Sequence, residues 1–163
     1  MFFYKIVDSP DPQKVRMIDE LFEKFKNYIE WRDGVKLPKP EIFFIKPVSK
    51  DEYERFRVYD RILELLSKIK GEGHLFTETY LKSDYDILGQ FAPQNSLGLK
   101  GKPRFLIFLR DDIFMSQLKR VALHELWHFY MFFIGSPERH FEGESWAERA
   151  EAVLSKILDG GES

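Results

Sequence analysis

The segment Val121–Ile134, VALHELWHFYMFFI, constrains this chain more than any other stretch. It is apolar at most positions, yet its first half carries His124, Glu125 and His128. Its length and composition predict a helix buried in the middle of a domain. Leu126, Trp127 and Phe129 stand where a solvated helix would show Lys, Glu or Arg. Burying an unpartnered polar group costs roughly 2–7 kcal/mol, and an unpaired charge costs more. The fold must therefore supply partners for these ionisable groups.

The chain has 163 residues, enough for one domain with a real core. Its net charge of -2 is spread over mixed acidic and basic residues, which gives no electrostatic footprint for nucleic acid or an anionic membrane. The absence of cysteine excludes disulfides, thiolate metal sites and a cysteine nucleophile. The N-terminal MFFYKIVDSPDP has no basic region ahead of its apolar residues, and no apolar run reaches the ~20 residues that span a bilayer. The expectation is a soluble, cytoplasmic protein. Few Asn and Gln among many Lys and Glu lean toward a thermophilic source.

Asp11-Pro12 opens a helix whose apolar positions Val15, Ile18, Leu21, Phe22, Phe25 and Ile29 recur at helical spacing up to Gly34. EIFFIK reads as a short strand. Ser49 and Glu52 form a capping-box pattern before a second helix carrying Tyr53, Phe56, Ile62, Leu66 and Ile69. HLFTETYL and YDILGQFA flank the polar turn Lys82–Asp84 and read as a hairpin. RFLIFLR is a buried strand, followed by a helix from about Asp112 to Ile134 and, after GSPERHFEG, a last helix from Glu144 to Leu158. The mixture predicts an α+β fold with a small mixed sheet. The whole chain, 1–163, reads as a single domain, with helices 11–33 and 50–70 as cover on the other side and a functional core over about 74–158.

Residues four apart share a helical face, so the imidazoles of His124 and His128 can converge on one point. Zinc favours neutral imidazole nitrogens at about 2.0–2.1 Å. Glu125 is displaced about 100° around the helix, which suits a general base acting on water rather than a third ligand. The stretch reads H-E-L-W-H.

A catalytic zinc site needs a third protein ligand and an open position. The metzincin continuation is excluded, because Met131 and Ile134 stand where that pattern needs Gly and His. EGESWAERAEAV offers Glu142, Glu144, Glu148 and Glu151. Glu144, Glu148 and Glu151 share one helical face, with Trp146, Ala150, Val153 and Ile157 roughly opposite. Periodicity alone also allows those glutamates to be an ordinary solvated face.

HELWH followed by E-x-x-A-E resembles the gluzincins, the thermolysin-like zinc peptidases, and most of all their compact members. The likeness covers Leu118–Leu154, and its second motif is the weaker one. It implies a zincin-like fold, with His124, His128 and Glu144 as zinc ligands and Glu125 as the catalytic base. It further implies that Glu148 accepts from the free ring N–H of His124, with Glu148 also the reserve ligand. The family usually carries Asp or Asn at that position. A zinc peptidase acting on a peptide or protein substrate is the leading expectation. A non-peptidase zinc amide or ester hydrolase, or a catalytically silent module tied together by metal, are the alternatives. His140, Tyr80, Tyr85 and Tyr130 are candidate oxyanion donors. YDILGQFA is a candidate substrate-binding edge, with Gly89 marking a bulge or a close backbone approach, or being simply a glycine in an irregular strand.

Overall fold

The computed structural model describes residues 1–55, 80–95, 103–135 and 140–159; for 94, 95, 103, 140–146 and 159 it describes the backbone only. Among the described residues five strands form one mixed sheet: β1 (Phe2–Ile6), β2 (Glu41–Val48), β3 (Tyr80–Ser83), β4 (Gly89–Asn95) and β5 (Pro103–Arg110), in the order β3-β1-β2-β5-β4. Only β2 and β5 run parallel; the other pairings are antiparallel. Four helices accompany the sheet among the described residues: α1 (Pro12–Asp33), α2 (residues 50–55), α3 (Met115–Phe133) and α4 (His140–Asp159). The architecture is mixed α/β, compatible with the expected α+β class.

The helix ends follow the sequence signals. Asp11 accepts a hydrogen bond from the Gln13 amide at 2.9 Å, and Gly34 closes α1 in the left-handed region at φ 70°. The Ser49 hydroxyl accepts from the Glu52 amide at 3.1 Å, as the capping box requires. The remainder of the expected second helix, from Phe56 on, lies outside the described residues. Gly135, at φ 72°, follows α3. That helix starts at Met115 rather than Asp112, because both Asp112 oxygens are held by the Arg110 guanidinium at 2.7 Å and cannot cap it. The last helix starts earlier than expected, at His140.

The central strands are buried on both faces, which explains their unbroken apolar runs. Phe44, Ile107 and Leu109 face a core shared with α1 and α3, built from Ile18, Leu21, Phe22, Phe25 and Ile29 against Leu118, Leu123, Leu126 and Phe129. Tyr4, Ile45, Leu106 and Phe108 form a second cluster on the opposite face. This corrects the expected placement of α1. It packs against α3, on the same face of the sheet. Tyr53 of α2 packs on Phe3, whose position in β1 puts it on that face too. The apolar stripe of α1 is the cause, since it shares one core with α3.

The expected hairpin is also overturned. Tyr80–Ser83 pairs with β1, while Gly89–Asn95 pairs with β5, so the two strands lie at opposite edges. Four strand spacings of ~4.8 Å make ~19 Å across a flat sheet. Six Cα steps span at most ~21 Å. The short link from Ser83 to Gly89 therefore runs nearly straight or the sheet curls, and this sheet is curled. Side chains from two other strands capture the link. The Tyr4 hydroxyl donates to Asp86 at 2.7 Å and accepts from the Ile87 amide at 2.9 Å. Arg110 donates through its guanidinium to Asp86 and to the Ile87 carbonyl, and through its amide to the Leu88 carbonyl. A polar turn between two apolar runs looked like a hairpin because neither Tyr4 nor Arg110 is local to it. Strand β1 carried no sequence expectation at all.

Candidate metal-binding cleft

Helix α3 packs against β4, β5, α1 and α4. The cause is local: its apolar residues occupy more than half of its circumference. Leu118, Ala122, Leu126 and Phe129 point to the sheet core. Tyr130 is turned to α1, where its hydroxyl donates to Asp33. Val121 and Glu125 lie against Gly89 of β4, and His124 meets α4 through Glu151. At about 100° per residue, His124 and His128 project between β4 on one side and α4 on the other. The pair thus lies on α3 between its contacts with a sheet-edge strand and with the glutamate-bearing helix, and the candidate cleft is the space over the two rings.

The ring nitrogens Nε2 of His124 and His128 stand 3.2 Å apart, with ring centroids at 4.9 Å. Two imidazole nitrogens on one tetrahedral zinc stand roughly 3.3–3.4 Å apart. The Nδ1 of His124 lies 3.0 Å from a Glu151 oxygen. When His124 donates that N–H to the carboxylate, its Nε2 is left as a lone pair aimed into the cleft. The other Glu151 oxygen is 3.3 Å from Arg120, one turn before His124. The side chains of His124 and Glu151 are 15% and 18% exposed, so both are largely out of water.

Glu125 is the only buried charged residue among the described ones. Its Cγ is 3.2 Å from where a Gly89 Cβ would lie, and that Cβ would come within 2.5 Å of Val121 Cγ1. Of the expectations for Gly89, a bulge, a close backbone approach or merely a glycine in an irregular strand, the close approach is the one observed. Any side chain there would push β4 off the helix. β4 is an edge strand, as expected for YDILGQFA, although it begins only at Gly89.

Glu151, not Glu148, partners His124. Glu148 is exposed. The buried line of α4 runs through Ala147 and Leu154, with Glu151 between them, while Val153 and Ile157 are 55% and 45% exposed. The helix is thus rotated from the orientation that burying Val153 and Ile157 would demand, and its glutamate stripe is not a plain solvated face. Glu144, seven residues before Glu151, falls within about 20° of the same line of the helix. Its side chain, like that of His140, lies outside the described set. Among the described residues, no group of three or more His, Cys, Asp or Glu is arranged to hold a metal.

The tyrosines are placed elsewhere. Tyr130 is engaged by Asp33; burial, with that bond, raises its pKa, and the Arg32 and Tyr130 hydrogen bonds lower that of Asp33. Tyr80 packs on Tyr53 beside the opposite sheet edge, and Tyr85 is 79% exposed in the link. No helix among the described residues is long and apolar enough to cross a membrane. No protein-family model, curated protein or solved structure matches the chain.

Proposed function

We propose that the chain is a zinc-dependent peptidase of the gluzincin kind, with a zincin-like arrangement of edge strand, HExxH helix and glutamate helix. The observation that carries this reading is the 3.2 Å approach of the two Nε2 atoms, with Glu151 on the far nitrogen of His124. A histidine with a carboxylate on its free N–H and its other nitrogen aimed at a second histidine is the arrangement found around zinc. His124, His128 and Glu144 would hold the ion. When bound, zinc supplies a Lewis acid and lowers the pKa of water toward 7.

The chain's own residues do the rest. Glu151 fixes the tautomer and ring orientation of His124, and Arg120 holds Glu151 in place. Glu125 accepts a proton from the attacking water and delivers it to the leaving amine nitrogen. Among the described residues β4 is an edge strand, and the N–H and C=O groups of such an edge can pair with an extended peptide. Gly89 lets that edge lie flush against Glu125. The acceptor carboxylate and the backbone that would align the peptide are thereby held within one rigid contact.

Elemental mass spectrometry of chain purified without added metal tests the site. The expectation is about one zinc per chain, lost on His128→Ala and Glu144→Ala and retained on Glu148→Ala. Loss on Glu148→Ala with retention on Glu144→Ala would move the third ligand, and a wild-type chain that takes up no zinc would end the peptidase reading.

A further inference from the structure

Beyond the histidines, the floor of the cleft turns aromatic. Phe132 is four residues after His128 and about 40° round from it, toward β4. It is 50% exposed, although it is one of the most apolar residues on α3. Its ring lies 5.6 Å from that of Phe91 on β4 and 6.3 Å from that of Phe105 on β5. Phe129, fully buried, sits 5.9 Å from Phe91 and 5.2 Å from Phe105. A half-open aromatic surface thus stands on a rigid aromatic base.

Its placement relative to β4 gives it a ligand. Gly89 and Phe91 are two apart in an edge strand, so they face the same side, toward α3. A peptide added to this edge also alternates its side chains. One side chain would lie opposite Gly89, beside Glu125, and the next on that face would lie over Phe91 and Phe132. The separation agrees at the aromatic base: Phe129 lies four residues, about 6 Å, beyond Glu125 along α3, close to the ~6.8 Å that two strand residues advance, and Phe132 stands three residues further on. β4 runs in the same direction as α3, since Gly89 meets Val121 and Glu125 while Phe91 meets Phe129 and Phe132. Antiparallel addition would therefore bring a residue on the N-terminal side of the cleaved bond onto the aromatic pair.

We infer that Phe132 and Phe91 form a subsite selecting a large apolar side chain two residues N-terminal to the residue opposite Gly89. This rests on the peptidase reading for its place in catalysis but not for its place in binding, and the test separates the two. Dye-labelled ten-residue peptides, Ala and Ser throughout except for a single Phe or Ser at the scanned position, are titrated into full-length Glu125→Gln chain and followed by fluorescence anisotropy. One Phe position should bind about tenfold tighter than Ser, the worth of partly burying one aromatic ring. Adding Phe132→Ser should remove that preference, and Phe132→Trp should keep it. Phe132 is half exposed, so these variants leave the core intact. In parallel, wild-type chain is given the same peptides and the products are mapped. Cleavage within about two residues C-terminal to the Phe is expected on this spacing. Equal binding of Phe and Ser peptides, or a preference that survives Phe132→Ser, overturns the subsite. Preference without any cleavage upholds the subsite and removes the peptidase reading; cleavage without preference does the reverse.

Discussion

Helices α3 and α4 pack against each other, yet they obey opposite rules. In the middle of α3 the helix goes where its apolar pattern sends it: Leu118, Leu123, Leu126 and Phe129 are essentially inaccessible. On α4 two branched apolar residues, Val153 and Ile157, are outside, while a glutamate is turned inward to a histidine. The rotation forgoes burial of a valine and an isoleucine, each worth about 1.5–3 kcal/mol when fully buried. Ala147 and Leu154 anchor the rotated helix, and Glu151 takes the place beside them. The seating of Ala147 and Leu154 and the contact of Glu151 with His124 go together with this orientation of α4.

Several substitutions break or sharpen that contrast. The largest effect belongs to Glu125, the inward carboxylate of α3. Glu125→Gln should cut peptide turnover by at least about a hundredfold, the usual scale for a lost general base, while zinc content stays unchanged. Steady-state kinetics beside elemental analysis would check it, and unaltered turnover would remove Glu125 from the mechanism. Glu151, its counterpart on α4, acts one shell further out. Glu151→Gln should weaken zinc binding by about 10–100-fold in a competition titration with a chromophoric chelator, with Glu148→Gln as the silent neighbour. Equal effects of the two would mean that the α4 orientation seen here is not the one that matters for metal.

Gly89 tests the contact on the other side of α3. Gly89→Ala places a methyl group 2.5 Å from the stiff Val121 side chain, so a loss of about 1–3 kcal/mol is expected in urea unfolding, partly restored by Val121→Ala. The smallest effects should fall on the exposed groups. Val153→Ser and Ile157→Ser should each change stability by less than about 0.5 kcal/mol. A loss above 2 kcal/mol would mean that this face of α4 is covered.

Asp112 supplies the pH dependence. Its carboxyl is held below the usual range, chiefly by the Arg110 hydrogen bonds. Its contribution is therefore present above the ordinary carboxylate pKa of about 3.9 and is lost as pH falls through the lower folded value. Asp112→Asn should cost about 0.2–1 kcal/mol near pH 7, since the group is partly exposed, and should shrink the acid-side loss of stability seen in urea titrations at lower pH.

Much of this was written in local residue order. A buried strand announces itself by an unbroken run such as RFLIFLR, and a helix by Asp11-Pro12 at one end and Gly34 at the other, because those preferences act over a few residues. The same holds for His124 and His128, whose convergence follows from the helical repeat alone. Pairing was not legible. Tyr80–Ser83 went to β1 and Gly89–Asn95 to β5, because Tyr4 and Arg110, both distant in sequence, hold the segment between them. Nor was the partner of His124 legible: Glu148 and Glu151 stand on the same helical face, and the choice between them turns on the rotation of α4. That rotation depends on how Ala147 and Leu154 seat against α3, a contact between segments that no local periodicity encodes. By itself the sequence determined which groups can do chemistry and the helix that carries them. Only the tertiary structure decided which strand edge and which carboxylate stand beside them, because those choices are made by packing between residues far apart in the chain.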